Sequence, residues 1–338
     1  MTRNGMPRRG RVAGWRTSSH DAGGRMLTPA DIGVRATAWY IARRGEPADS
    51  RPDVDTASLQ RRFAHLAPVA VTDVPVSGPH GAVPARLYRD PAQPARNAFV
   101  WVHGGAFFGG TLDMPESNWV GLELAAHGIP TLAVDYRKAL RGVRHPVPID
   151  DVQAAWEHAT GNAEALFGAA SDRVHLGGAS AGGAIVAGVS LRLRDDGGRM
   201  PASLVLAYPL MHPDLPPNTA ATKELMAKMP ARLRFHPSVV HALAKHYAGR
   251  AGLRDPYAFA GVAKDLRGLP PTYILVAAID DLRSSGDMFA RQLRDASVRV
   301  ELFAERSATH GYLNHPEANS AQRSLTRIRA WIDAFGDH

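Results

Sequence analysis

Short apolar runs alternate with helix-length stretches along most of this chain. Residues 69–76 and 83–89 alternate apolar and polar positions on either side of Gly78 and Gly81, which predicts a hairpin. Further on, the runs at 98–102, 131–134, 174–176, 204–207, 273–278 and 300–303 are continuously apolar, as in strands buried on both faces. Helix-length segments at 119–127, 150–160, 181–194 and 286–294 lie between them. Strands alternating with helices predict an α/β fold, a mostly parallel eight-stranded sheet with helices on both faces. Two segments break the alternation. Residues 26–67 join a helical patch (Ile32, Ala36, Trp39, Tyr40) to a Pro/Asp-rich break, and residues 211–253 are rich in Pro, His and Met with helical patches at 223–228 and 239–247. We expect both to form a helical cap over the carboxyl edge of the sheet, where such folds bind ligands, with 68–210 and 254–338 as the core. Near the end, Leu325, Ile328, Trp331 and Ile332 share one helical face, suited equally to packing on the sheet or on a second copy of the chain.

The predicted strand at 174–176 runs into Gly177-Gly178-Ala179-Ser180-Ala181-Gly182-Gly183, a G-x-S-x-G pattern with a helix to follow. Small residues around the serine permit a tight strand-to-helix turn that lifts its hydroxyl to a helix N-terminus, where negative charge is favoured. An alkyl hydroxyl is a weak nucleophile near neutral pH and needs a base, which in turn needs an orienting carboxylate. Asp280 stands just past the strand at 273–278, ahead of its neighbours Asp281 and Asp287. His310, one of fifteen histidines, falls in a loop after the strand at 300–303. The remaining requirement is a set of N–H donors for a developing oxyanion. His103-Gly104-Gly105-Ala106-Phe107-Phe108-Gly109-Gly110 follows the strand at 98–102 and suits that role. It lacks the Lys-Ser/Thr ending of a phosphate-binding loop.

Composition narrows the partners. The net charge of +8 is concentrated at the start, where residues 1–25 hold six arginines against Asp21 alone. We read that stretch as a basic, disordered head, and the remainder as no nucleic-acid binder, because no basic patch interleaved with aromatics occurs. The head lacks the apolar core of a secretory signal and no long uncharged apolar stretch follows, so the expected protein is cytoplasmic with no membrane span. Cysteine is absent, which excludes disulfides and thiolate metal sites.

Taken together, these pieces resemble the hormone-sensitive-lipase-like branch (bacterial family IV type) of the α/β-hydrolase serine esterases. The resemblance rests on His103-Gly104-Gly105-Ala106-Phe107, Val134-Asp135-Tyr136-Arg137, Gly178-Ala179-Ser180-Ala181-Gly182-Gly183, Leu269-Pro270-Pro271-Thr272, Asp280-Asp281-Leu282-Arg283 and His310-Gly311-Tyr312, in family order over about residues 70–335. It implies an α/β-hydrolase fold with Ser180 as nucleophile, His310 as general acid/base and Asp280 as its orienting partner. The N–H groups of Gly104, Gly105 and Ala181 would form the oxyanion hole, and His103, Asp135 and Arg137 would be scaffold. No cofactor and no metal is implied. Family members often dimerise through the last strand and helix, so a homodimer is a further expectation. The chain departs from the family pattern at Ala106 (usually Gly), Ala179 (usually acidic), Lys138 (usually Leu), Asp281 (usually Pro) and Ser284-Ser285 (usually an acidic pair).

The implied activity is hydrolysis of short-to-medium acyl or small-molecule esters through an acyl-enzyme. The acyl side is expected near Phe107 and Phe108 and the alcohol side beneath residues 211–247. Hydrolysis of amides or lactones, acyl transfer and a dehydratase reaction use the same scaffold. A catalytically silent ligand-binding homologue is disfavoured by the presence of Ser180, Asp280 and His310 together.

Overall fold

A computed structural model describes residues 26–45, 54–230 and 234–335; the head expected at residues 1–25 lies outside them. The described strands are β1 (Ala70–Val76), β2 (Val83–Arg89), β3 (Ala98–Val102), β4 (Thr131–Val134), β5 (Val174–Ala179), β6 (Leu204–Ala207), β7 (Thr272–Ile279) and β8 (Val300–Thr309). They form one eight-stranded sheet in the order β1-β2-β4-β3-β5-β6-β7-β8. β2 runs antiparallel to both neighbours and every later pairing is parallel.

The period of two decides which residues face which layer. Val100, Val102, Leu176, Leu204, Leu206, Ile274 and Val276 face one side. There they meet α4 (Val147–Gly161), α6 (Ala181–Asp195) and α9 (Arg283–Asp295). Their alternates Phe99, Trp101, Val205, Ala207, Tyr273 and Leu275 face α3 (Pro115–Ala125) and α10 (Asn319–Asp333) on the other side. The stripe Leu325, Ile328, Trp331 and Ile332 is buried in this second layer, with Trp331 stacked on Tyr273 at 5.5 Å between ring centroids. That stripe therefore packs on its own sheet.

Of the segments outside the alternation, α1 (Pro29–Arg44) packs on α8 (Pro237–Gly252), with Asp31 of α1 paired to Lys245 of α8. α2 (Thr56–Arg62) instead lies on the α3 side, through Leu59. Within the helical patch, Ile32, Trp39 and Tyr40 face outward, and Val34 and Ala38 make the inward contact. α5 (Ala163–Phe167) and α7 (Ala220–Ala227) complete the α-helices of the described residues. None of them is long and apolar enough to cross a membrane.

β8 extends six residues beyond its predicted end at Phe303. It is the edge strand and half exposed, so its second part carries exposed Arg306 and Ser307, beside Glu305 buried in a pair with Arg323, rather than an apolar run. Register then does what sequence spacing only suggested. Ile279 pairs with Thr309 across a bulge, so Asp280 and His310 leave the sheet side by side. Val102 pairs with Gly178, which brings the glycine loop after β3 beside Ser180.

One core histidine has a consequence for stability. His175 on β5 is fully buried, with Nδ1 2.7 Å from Ser203 Oγ, and burial, aided by Arg173, pushes its imidazole down to about 3. The unfolded chain takes up this proton near pH 6.5 and the folded chain does not. Stability from this residue is thus complete above about pH 6.5 and is lost as pH falls toward 3, at a limiting slope of about 1.4 kcal/mol per pH unit. Urea unfolding at pH 4.5 to 7 should show His175→Gln with a slope flatter by that amount; equal slopes would contradict the assignment.

Candidate active site

Ser180 occupies the turn between β5 and α6 with φ 50° and ψ −114°, a sparsely populated backbone region for a residue with a side chain. The turn is held by Ser180 N–H donating to the Ala207 carbonyl at 2.9 Å. Its sharpness explains the flanking glycines. A Cβ at Gly182 would sit 2.2 Å from the Val102 carbonyl oxygen, and one at Gly178 would sit 2.7 Å from the Gly182 carbonyl. Only hydrogen fits at either place.

The three candidate catalytic side chains come together in one line. Ser180 Oγ is 2.9 Å from His310 Nε2, and His310 Nδ1 is 2.7 Å from Asp280 Oδ2. Asp280 is almost fully buried, and its second oxygen, Oδ1, accepts the Leu282 N–H at 2.9 Å. The neighbouring candidate Asp281 points elsewhere, to Arg234, and Asp287 pairs with Arg283. Because a carboxylate can only accept, Nδ1 must carry the imidazole proton. Nε2 is then a lone-pair acceptor facing the serine hydroxyl, the arrangement a general base requires. The imidazole is flanked edge-to-face by Tyr208 at 5.1 Å and Phe235 at 4.6 Å between centroids.

The glycine loop is more contorted than a turn requires. Gly105, Ala106 and Phe107 have φ of 130°, 54° and 69° in succession. A Cβ at Gly105 would lie 2.0 Å from the Gly109 carbonyl oxygen. One sequence expectation changes here. Gly104 N–H donates to Glu116 Oε2 at 3.1 Å and is therefore already engaged. Among the described residues, the N–H groups of Gly105, Ala106 and Ala181 have no hydrogen-bond partner in the chain. The donors left available are thus Gly105, Ala106 and Ala181.

Glu116 went unnoticed in the sequence, where its only signal is a place in the first turn of the helix after the glycine loop. It is buried, and Oε1 accepts the Trp101 indole N–H at 2.8 Å while Oε2 holds Gly104. Two N–H donors thus need two acceptor oxygens. Glu116→Gln presents an amide N–H₂ to one of them, which should cost about 1–3 kcal/mol of stability. A loop displaced by this change should lower kcat on the order of 10²-fold with KM little changed. Steady-state kinetics and a denaturation midpoint check both numbers; a variant with wild-type kcat would exclude a positioning role.

His103 is buried and lies beneath the same loop. Its Nδ1 donates to the Gly104 carbonyl at 2.6 Å, and its ring stacks on Tyr136 at 4.8 Å. Nε2 lies 3.1 Å from both Lys138 Nζ and Asp135 Oδ1. Burial, with Lys138 adding to it, pushes the His103 imidazole down. Burial alone would raise Asp135, but His103 and Lys138 outweigh it and hold the carboxyl at about 2. Arg137 does not join this group; it pairs with buried Asp151, a partner absent from the sequence reading.

Phe107 is fully buried, stacked on Tyr247 of α8 at 3.9 Å and edge-on to Phe259. It anchors the loop to α8 and has no surface left to border an acyl group. Phe108 similarly meets His246 edge-on at 6.0 Å. Among the described residues no group of three or more His, Cys, Asp or Glu side chains could hold a metal ion.

The family model described as an alpha/beta hydrolase fold matches residues 99–314. The chain belongs to that family, in its hormone-sensitive-lipase-like branch. It is 32% identical over 273 residues to the esterase LipI of Mycobacterium tuberculosis, covering 77% of this chain and 81% of that one. It is 35% identical over 260 residues to the carboxylic ester hydrolase LipN of the same organism, covering 73% of this chain and 65% of LipN. The chain thus spans slightly less than two thirds of LipN's length. Among solved structures, an esterase of Pyrobaculum calidifontis aligns with a TM-score of 0.70 at 25% identity, over 85% of this chain and 95% of that one.

Proposed function

We propose that this protein is a carboxylic ester hydrolase that works through an acyl-enzyme on Ser180. The observation that carries the reading is the continuous line from Ser180 Oγ through His310 to buried Asp280, at 2.9 and 2.7 Å. Three unengaged N–H groups, those of Gly105, Ala106 and Ala181, belong to the glycine loop and to the residue after the nucleophile. The names of the mycobacterial relatives favour an ester over other carbonyl substrates.

In the first half-reaction Ser180 Oγ attacks the ester carbonyl carbon and its proton passes to His310 Nε2. The carbonyl oxygen becomes an oxyanion held by the N–H groups of Gly105, Ala106 and Ala181, each such donor contributing about 10²–10³ in rate. Asp280 stabilises the imidazolium and keeps its Nδ1 proton in place. The tetrahedral adduct then collapses, the C–O bond to the alcohol breaks, and His310 returns the proton to the departing oxygen. Water, activated by the same imidazole, attacks the acyl-serine and releases the acid, which restores Ser180. The chain's own groups supply every proton transfer in this sequence, and the substrate is a small-molecule ester.

The test is release of p-nitrophenol from its acetate, butyrate, octanoate and palmitate esters. Turnover of the shorter members supports the reading and begins to size the acyl site. A folded protein that leaves all four intact would overturn it.

A further inference from the structure

We propose that Phe235 forms the alcohol-side wall of the active site and that Arg234 is its positioning residue, locked to Asp281 beside the catalytic acid. The inference rests on the ester-hydrolase reading and names the part of the substrate that this wall would select.

Three consecutive residues after the Pro-rich segment of the cap have three different jobs. Arg234 reaches the core, where its Nη2 and Nε lie 2.9 and 3.4 Å from the two oxygens of Asp281. Phe235 places its ring 4.6 Å from the His310 imidazole at an interplanar angle of 64°. His236 caps α8, its side chain accepting the Ser238 N–H. The Arg234 pair is one-sided in exposure: the Asp281 side chain is 5% exposed and that of Arg234 34%. A second cap residue, Asn218, donates to the Asp281 carbonyl at 3.1 Å. The acid loop is therefore engaged on two sides. Asp280 orients His310, and its neighbour Asp281 fixes the segment whose next residue lies on that same imidazole.

The chemistry of the reaction assigns the side. The ester carbonyl must lie against the N–H groups of the glycine loop, which fixes the acyl half of the substrate there. His310 Nε2 has to reach the leaving oxygen, so the alcohol half is the part that passes beside the imidazole. A ring packed on that imidazole limits the bulk of this half. The residues on either side of Phe235 in sequence, Arg234 and His236, line a cavity of about 220 Å³ together with Leu215, Pro217 and Met226. Phe235, between two of these residues in sequence, is not part of the lining and turns to His310. Shortening Phe235 should thus enlarge the space open to the alcohol without altering the glycine loop. Freeing Arg234 should have the same effect more weakly, because the ring would remain but lose its anchor.

The experiment compares kcat/KM for methyl butyrate and cyclohexyl butyrate, which share an acyl group, in wild type, Phe235→Ala, Arg234→Met and the double variant. Methyl acetate through methyl hexanoate supply the acyl control, and Ser180→Ala the blank. Phe235→Ala should raise the cyclohexyl-to-methyl ratio by about 10-fold or more, the scale at which one or two methylene groups are discriminated in an apolar pocket. Arg234→Met should raise it in the same direction, and the double variant should not exceed Phe235→Ala, since Arg234 acts through that ring. The acyl profile should stay unchanged. Phe235→Leu serves the same purpose if the alanine variant does not fold. An unchanged ratio, a shift in the acyl profile instead, or additive effects of the two changes would overturn the proposal while Ser180-dependent hydrolysis stands. Absence of Ser180-dependent hydrolysis in wild type would overturn the underlying reading as well.

Discussion

Ser180→Ala is expected to abolish measurable turnover, lowering kcat for p-nitrophenyl butyrate by about 10⁶-fold. The reasoning lies in how few parts the mechanism has. Without Oγ there is no acyl-enzyme, and His310 loses the hydroxyl 2.9 Å from its Nε2. His310→Ala should be about as severe, because the unassisted hydroxyl is a poor nucleophile. The double variant should be no worse than either single one, since the two groups act as a unit. What remains in each case is whatever the Gly105, Ala106 and Ala181 donors do for a water attack. Steady-state rates of the three variants check this; additive losses would mean that Ser180 and His310 act independently.

Asp280→Asn is expected to lower kcat by about 10⁴-fold with KM little changed. The local hydrogen bonds determine how. Asp280 Oδ1 accepts the Leu282 N–H while Oδ2 accepts from His310 Nδ1. An asparagine keeps its single carbonyl oxygen on Leu282 only by turning its amide N–H₂ toward His310. Nδ1 must then act as acceptor, the proton moves to Nε2, and the imidazole presents an N–H to Ser180 instead of a lone pair. The base is present in the wrong tautomer. Comparing kcat for wild type, Asp280→Asn and Asp281→Asn measures this directly. A loss below tenfold in Asp280→Asn with a large one in Asp281→Asn would transfer the role to the neighbour.

Most of the frame was readable because burial on two faces writes continuous apolar runs into a chain. β3, β4 and β6 coincide with their predicted limits for that reason. β8 outruns its apolar run because an edge strand has one wet face, and Arg306 and Ser307, next to a buried Glu305 paired with Arg323, look like loop until the pairing with β7 is known. The helical patch in the sequence marks out α1 without saying which of its faces turns inward. Its large apolar residues Ile32, Trp39 and Tyr40 point outward, and the small Val34 and Ala38 make the close contact with α8. Helical periodicity locates a face; which face a neighbour covers depends on the neighbour.

The site divides along the same line. Ser180, Asp280 and His310 were candidates from sequence because each follows a predicted strand at one edge of a parallel sheet, although the apolar run of β8 stops seven residues short of His310. Of the candidate oxyanion donors, the Gly104 N–H is engaged in the structure and those of Gly105 and Ala106 are not. Sequence locates a glycine loop but cannot say which N–H is already taken, and it is Glu116, 12 residues on, that takes Gly104. Glu116, Asp151 and Arg234 find their partners 12, 14 and 47 positions away, so their sequence neighbours do not pair them. Phe107 illustrates the converse: an aromatic in a catalytic loop that suggested substrate contact is committed to packing on Tyr247.

A covalent acyl group on Ser180 is expected during turnover, and it can be trapped. The enzyme would be mixed with excess p-nitrophenyl acetate, acid-quenched in the first turnovers and analysed by intact mass and peptide mapping. One added acetyl group is expected, located on the peptide that carries Ser180 and absent from Ser180→Ala. Ester turnover with no acetylated species under any quench time, or acetylation at another residue that supports turnover in Ser180→Ala, would contradict it.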